Sequence, residues 1–173
     1  MALPEELKAF TGRLLAVRNT NTSLASDVAR GITETTERYA YAHTVPATVG
    51  LRRPAAITGA TRALAMVAKY RRTPNSAGTL GAGFANIPGN SGGVGERLAL
   101  VVDLDIEQAA QVIEGLVGRS PSVNFYALVE LLTFWDTGDL DRDIKHRSRL
   151  VYDFYSRPAK NKTTATTLTQ KAV

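Results

Sequence analysis

Apolar positions along this chain recur at three- and four-residue spacing and almost nowhere alternate, so the pattern predicts helices and no sheet. Leu7, Phe10, Leu14, Leu15 and Val17 form a stripe behind Pro4, which a first helical turn accepts, and predict a helix over 4–18. Asn19-Thr20-Asn21-Thr22 reads as a loop. Ser23 reads as the cap of a second helix running to about Tyr41, weakened by Gly31 and several threonines. Val45-Pro46 and Arg53-Pro54 bound a linker. Pro54 opens a third helix with Ile57, Leu64, Met66, Val67 and Tyr70 on or near its buried face, and Thr73-Pro74 stops it.

Residues 74–95 break the pattern with Pro74, Gly78, Gly81, Gly83, Pro88, Gly89, Gly92, Gly93 and Gly95. A short helix is expected at about 79–86, then a flexible tip at Pro88-Gly89-Asn90-Ser91-Gly92-Gly93. An apolar helical run follows from Glu96 to Val102. Asp105 caps a helix carrying Ile106, Ala109, Val112, Ile113 and Leu116. Ser122 or Asn124 opens the next, with Phe125, Leu128, Leu131, Leu132 and Trp135. Asp139 opens the last, which ends near Arg157-Pro158. Residues 158–173, rich in Thr, Lys, Ala and Asn, read as a disordered tail. The fold expected is an all-α bundle of about seven to nine helices. It has an N-terminal helical lobe (1–74) joined by the glycine-rich connection to a C-terminal helical bundle (75–157).

Charge changes the picture from fold to partner. The net charge of +5 is unevenly spread. Residues 1–72 hold 11 Lys/Arg against 5 Asp/Glu, residues 73–141 hold 2 against 9, and residues 142–173 hold 8 against 2. Two basic segments bracket an acidic middle. Clustered cations attract phosphates by releasing condensed counterions, although solvated helix faces carry charge too. The absence of cysteine excludes disulfides and thiolate chemistry and favours a cytoplasmic location. No apolar run is long enough to span a membrane, and Met1 to Lys8 does not read as a signal peptide.

Catalytic motifs are missing where they would be sought. Gly78-Thr79-Leu80-Gly81-Ala82-Gly83-Phe84 lacks the Gly-Lys of a phosphate loop and the preceding strand of a dinucleotide fingerprint, so it reads as a turn into a closely packed helix. Asp136, Asp139, Asp141 and Asp143 do not make a calcium loop, because Ile144 and Leu150 stand where Gly and Glu are required. They read as helix N-terminal acids. His43 and His146 lack ligand spacing. Asp143 with Arg147, and Asp141 with Lys145, stand at i,i+4 and suggest surface ion pairs. No cofactor and no catalytic residue is expected.

The basic clusters remain. Arg52 and Arg53 precede a proline, and Lys69, Arg71 and Arg72 crowd a helix end. Arg142, Lys145 and Arg149 share one face of the last helix, flanked by His146 and Arg147. Few exposed aromatics can be identified, so backbone contact without base readout is the expectation.

The second half resembles the CasB family, the small ("belly") subunit of the type I-E CRISPR Cascade complex. The likeness is carried by Gly78-Thr79-Leu80-Gly81-Ala82-Gly83-Phe84, then Gly95-Glu96-Arg97-Leu98, then Asn124-Phe125 through Leu128 and Leu131-Leu132 to Trp135. It closes on Arg147-x-Arg149-Leu150 running into Asp153-Phe154-Tyr155. In the first half it is looser, at Tyr39-x-Tyr41 and the alanine-rich helix ending at Arg72-Thr73-Pro74. The resemblance implies an all-helical, non-catalytic subunit, packed as two head-to-tail copies along the backbone and large subunits of Cascade. It implies contacts with crRNA and target DNA that stabilise the R-loop, through the target or the displaced strand. Leu98 and Glu114-Gly115 stand where the family often has bases. The candidate contacts are therefore Arg52, Arg53, Arg71, Arg72, Arg97, Arg119, Arg142, Lys145, Arg147 and Arg149. A helical assembly protein whose acidic middle meets basic surfaces is the alternative.

Overall fold

The computed structural model describes residues 1–89 and 93–156. The expected tip at 88–93 lies partly outside these residues and the expected tail at 158–173 wholly outside. Among the described residues the chain is all-α, with nine α-helices: α1 (Glu5–Val17), α2 (Thr22–Ala29), α3 (Tyr41–Thr48), α4 (Pro54–Lys69), α5 (Leu80–Phe84), α6 (Gly93–Val101), α7 (Ile106–Val117), α8 (Phe125–Thr133) and α9 (Leu140–Tyr155). No helix among them is long and apolar enough to cross a membrane.

Side-chain caps set most helix starts. Asp105 accepts from the Gln108 N–H, Asn124 from Ala127, Asp139 from Arg142 and Thr79 from Ala82. α2 differs from expectation at both ends. Its cap is Asn21, accepting from Leu24 N–H at 3.1 Å, rather than Ser23. It stops at Ala29 and gives way to two 3-10 turns, Arg30–Ile32 and Glu37–Tyr39. Threonine hydroxyls cause the break. Thr36 Oγ1 donates to Arg30 O at 2.6 Å and bonds with Thr33 Oγ1 at 2.9 Å, competing with the helix's own ladder. The expected linker at 45–54 contains the end of α3, with Pro46 inside it.

α4 is the central element. Gly59 to Ala68 is buried without interruption. It crosses α8 at Gly59, where a Cβ would run into the Leu132 carbonyl. Ile57, expected on or near the buried face, is 37% exposed. One apolar cluster runs from Leu7, Leu14 and Val28 through Leu64 to Phe84, Ile113, Leu128 and Trp135, so the core is continuous across residue 75.

The glycine-rich connection is fastened rather than loose at its start. Ser76 N–H donates to Val123 O at 2.9 Å and Val123 N–H to Pro74 O at 3.1 Å. The Asn75 side chain accepts from Phe125 N–H at 3.0 Å, and Asn124 Nδ2 donates to Gly78 O at 2.7 Å. Beyond it, α5 and α6 seat on α9. A Cβ at Gly81 would collide with the Leu150 carbonyl, and one at Gly95 with the Tyr155 hydroxyl. Gly81 and Gly95 are thus contact points between helices.

Candidate nucleic-acid interface

The interior claims three of the chain's arginines. Arg147, expected on the outer surface of α9, is buried at 9% exposure. Its Nε donates to Trp135 O at 2.8 Å and Nη1 to Val102 O at 3.0 Å, while its guanidinium lies 4.8 Å from the Trp135 ring centre. It ties the carbonyls that follow α8 and α6, which have no further helical turn to accept them. Arg147 is therefore a structural residue and not a contact for nucleic acid. Its expected ion pair with Asp143 is also absent. Asp143 is buried and accepts from Thr137 N–H at 3.0 Å and from Thr137 Oγ1 at 2.6 Å.

Arg18 and Arg62 do the same work elsewhere. Arg18 donates to Val67 O at 2.9 Å and Thr73 O at 2.6 Å, closing the C-terminal end of α4, and burial lowers its pKa. Arg62, 1% exposed, donates to Gly31 O at 2.7 Å, to Glu37 at 2.6 Å and to Glu107 at 2.6 Å. Burial disfavours its charge, but the two carboxylates outweigh that and raise its pKa. The sequence signal for Arg62 is a lone charge inside the alanine-rich run of α4.

The exposed bases fall into separate patches. Arg52 and Arg53 stand at the start of α4 and Arg71 and Arg72 just past its end, roughly 24 Å apart at 1.5 Å per residue over 16 residues. They are not one site. Arg53 is partly neutralised, 3.6 Å from Asp136 and lying over Gly138, whose φ of 84° suits glycine. Arg52 is exposed.

At the other end of α4 the structure brings three predicted residues together. A Cβ added at Gly118 would come within 3.0 Å of the Tyr70 ring, so the chain segments carrying exposed Arg119 and exposed Arg71 and Arg72 meet at this corner. Among the described residues none of the three is paired with a carboxylate. Lys69 is paired there with Glu114, whose hydrogen bond raises its pKa. The carbonyl ends of α4 and α7 meet at this corner and favour cations.

The outer face of α9 is the second patch. Arg142, Lys145 and Arg149 are exposed on it as expected, but Arg142 lies 3.8 Å from Asp139 and Arg149 3.3 Å from Asp153. Among the described residues, Lys145 has no carboxylate partner. Arg97 is exposed on α6, which packs on α9 through Gly95.

Two features escape the sequence pattern. Aromatic side chains are exposed after all: Tyr152 and Tyr155 each at 64%, both on α9. A helical period over Val151 to Tyr155 alone does not tell which aromatics face out. The other is a stack in which the guanidiniums of Arg30 and Arg38 lie 4.8 and 4.6 Å from the Tyr39 ring centre. These arginines are eight residues apart across two 3-10 turns, so no helical spacing relates them.

Polar clusters elsewhere offer little chemistry. His43 Nε2 lies 3.4 Å from Asp27 at a groove also lined by Arg13 and Ser23. No group of three or more His, Asp or Glu among the described residues could hold a metal ion. A cavity of about 270 Å³ between α5, α8 and α9 is lined by Glu130, His146, Arg149 and Asp153. Burial lowers the His146 pKa and outweighs the opposing pull of Glu130. Comparison with family models, curated proteins and solved structures finds no match to this chain.

Proposed function

We propose that this chain is a non-catalytic nucleic-acid-binding subunit that grips phosphates, acting as a CasB-like small subunit of a type I-E Cascade effector that stabilises the R-loop. The observation that carries the reading is the corner formed by Arg71, Arg72 and Arg119, three exposed guanidiniums without a carboxylate partner among the described residues. An arginine pair or triplet in this state neutralises phosphates at little desolvation cost. Arg52, Arg97 and Lys145 extend the basic surface, and Arg53, Arg142 and Arg149 contribute with charge already shared with aspartates.

The residues behind the CasB resemblance support it from the inside. Gly81 and Gly95 are contact points of α5 and α6 on α9, and Arg147 ties α9 to Trp135. Three of the motifs spread over 78–155, those at Gly81, Gly95 and Trp135, thus meet on α9. Cascade backbone and large subunits, crRNA and target DNA are the partners this reading assigns, with two copies assembled head to tail in the cytoplasm.

A second reading, assembly without nucleic acid, draws on one observation. α3 and the residue that follows it expose apolar side chains, with Val45 56% and Val49 72% exposed. Gel shift and light scattering on the purified chain separate the two. Retarded single-stranded and duplex oligonucleotides, released by moderate salt, support the first. Self-association with no shift at any salt contradicts it.

A further inference from the structure

We infer that Tyr152 is a base-stacking residue and that the outer face of α9 therefore takes single-stranded nucleic acid. The inference deepens the phosphate-binding reading above and rests on it.

The chain has six tyrosines, and the fold uses five. The Tyr39 ring is clasped by Arg30 and Arg38. Tyr41 donates to Glu37 Oε1 at 2.7 Å, and Tyr70 to Glu114 at 3.0 Å. The Tyr126 hydroxyl occupies the space beside Gly12. Tyr155 stands against Gly95 and edge-on to Phe154, with ring centres 5.0 Å apart. Tyr152 is different. The Arg149 guanidinium lies 5.6 Å from its ring centre, no side-chain hydrogen bond engages its hydroxyl among the described residues, and 64% of the residue is exposed. A large ring left in water contributes nothing to the core.

Its position supplies a use. Arg142, Lys145, Arg149 and Tyr152 follow at intervals of three, four and three residues, so they form one stripe along α9. That stripe is about 15 Å long at 1.5 Å per residue, enough to follow a few nucleotides of one strand. Arg149 braces one face of the ring and is itself held by Asp153 at 3.3 Å. With 64% of the residue exposed, the ring leaves room for a base to stack on it. Duplex bases bury their faces against one another, so only an unpaired base can stack there. Lys145, without a carboxylate partner among the described residues, and the two arginines would follow the phosphates that flank that base.

The test measures fluorescence anisotropy with three labelled oligonucleotides of equal length: a mixed-sequence single strand, an abasic strand with the same number of phosphates, and a duplex. The wild-type chain should bind the base-bearing strand at least about fivefold more tightly than the abasic one. Tyr152→Ala should make the two equal while leaving abasic affinity and the melting midpoint unchanged. Tyr152→Phe, which keeps the ring, should keep the preference. Equal wild-type affinity for base-bearing and abasic strands overturns the stacking inference and leaves phosphate binding standing. A preference that survives Tyr152→Ala overturns the assignment to Tyr152. Failure to bind any of the three overturns both readings.

Discussion

Arg147 and Arg149 stand two residues apart on α9 and meet different surroundings. Arg147 faces the core and donates to two carbonyls at the ends of other helices. Arg149 faces solvent, shares Asp153 and lies beside the Tyr152 ring. Both occur within one basic run, and only the helical phase separates a residue that holds the fold from one able to hold a ligand. The same division holds across the molecule: Arg18 and Arg62 inside, Arg71, Arg72 and Arg119 outside. Arginine suits the inner role because its planar fork donates to several acceptors at once. A count of basic residues therefore overstates the binding surface, and burial decides which charges remain for a partner.

The comparison breaks most visibly on the inner side. Arg62→Ala leaves Glu37, Glu107 and the Gly31 carbonyl without their shared donor, and a loss of about 3 kcal/mol or more is expected in urea unfolding. Arg147→Met should cost about 2 kcal/mol, since two buried carbonyls lose a charged donor. Neither substitution should alter the salt dependence of oligonucleotide binding in whatever fraction remains folded. Gly81→Ala, which presses a methyl against the Leu150 carbonyl, should lower stability by about 1–3 kcal/mol by lifting α5 from α9.

On the outer side the expected effects reverse. Lys145→Ala should leave urea unfolding within about 0.5 kcal/mol of wild type and reduce the slope of log affinity against log salt by about 0.7, the share of one single-strand phosphate. Arg142→Ala and Arg149→Ala should reduce it less, because their charges are already shared with Asp139 and Asp153.

The smallest effect is on pH dependence. Burial lowers the His146 pKa below its ordinary 6.5, so the folded state holds the neutral ring more strongly than the unfolded chain does. Its contribution is complete above pH 6.5 and fades as pH falls through the lower folded value. Glu130 and Asp143 moderate the shift. A His146→Leu variant should show a flatter acid limb in thermal melts between roughly pH 6.5 and 5. An acid limb identical to wild type would remove His146 from the account.

The helices were legible because apolar stripes and capping residues agree. Asp105, Asn124 and Asp139 cap where the pattern places them. The stretch from Arg30 to Ala40 was not, since its threonines bond sideways and end a helix that composition would allow to continue. Nine of the ten proposed contact residues are exposed, and spacing located the α9 stripe correctly. Spacing gave the wrong side for Arg147, because the apolar face of α9 is narrow and Leu150 and Phe154 set its phase only in its second half. The corner of Arg71, Arg72 and Arg119 depends on Gly118 meeting Tyr70, a long-range contact that no local pattern encodes.

The most direct test of the division between inner and outer arginines is the salt slope of single-strand binding for a chain carrying Arg71→Ala, Arg72→Ala and Arg119→Ala together. The expected result is a slope shallower than wild type by about 2, at 0.7 per phosphate, with unfolding unchanged. A slope equal to wild type, or a wild-type affinity that does not respond to salt, would contradict the claim that these exposed guanidiniums bind nucleic acid.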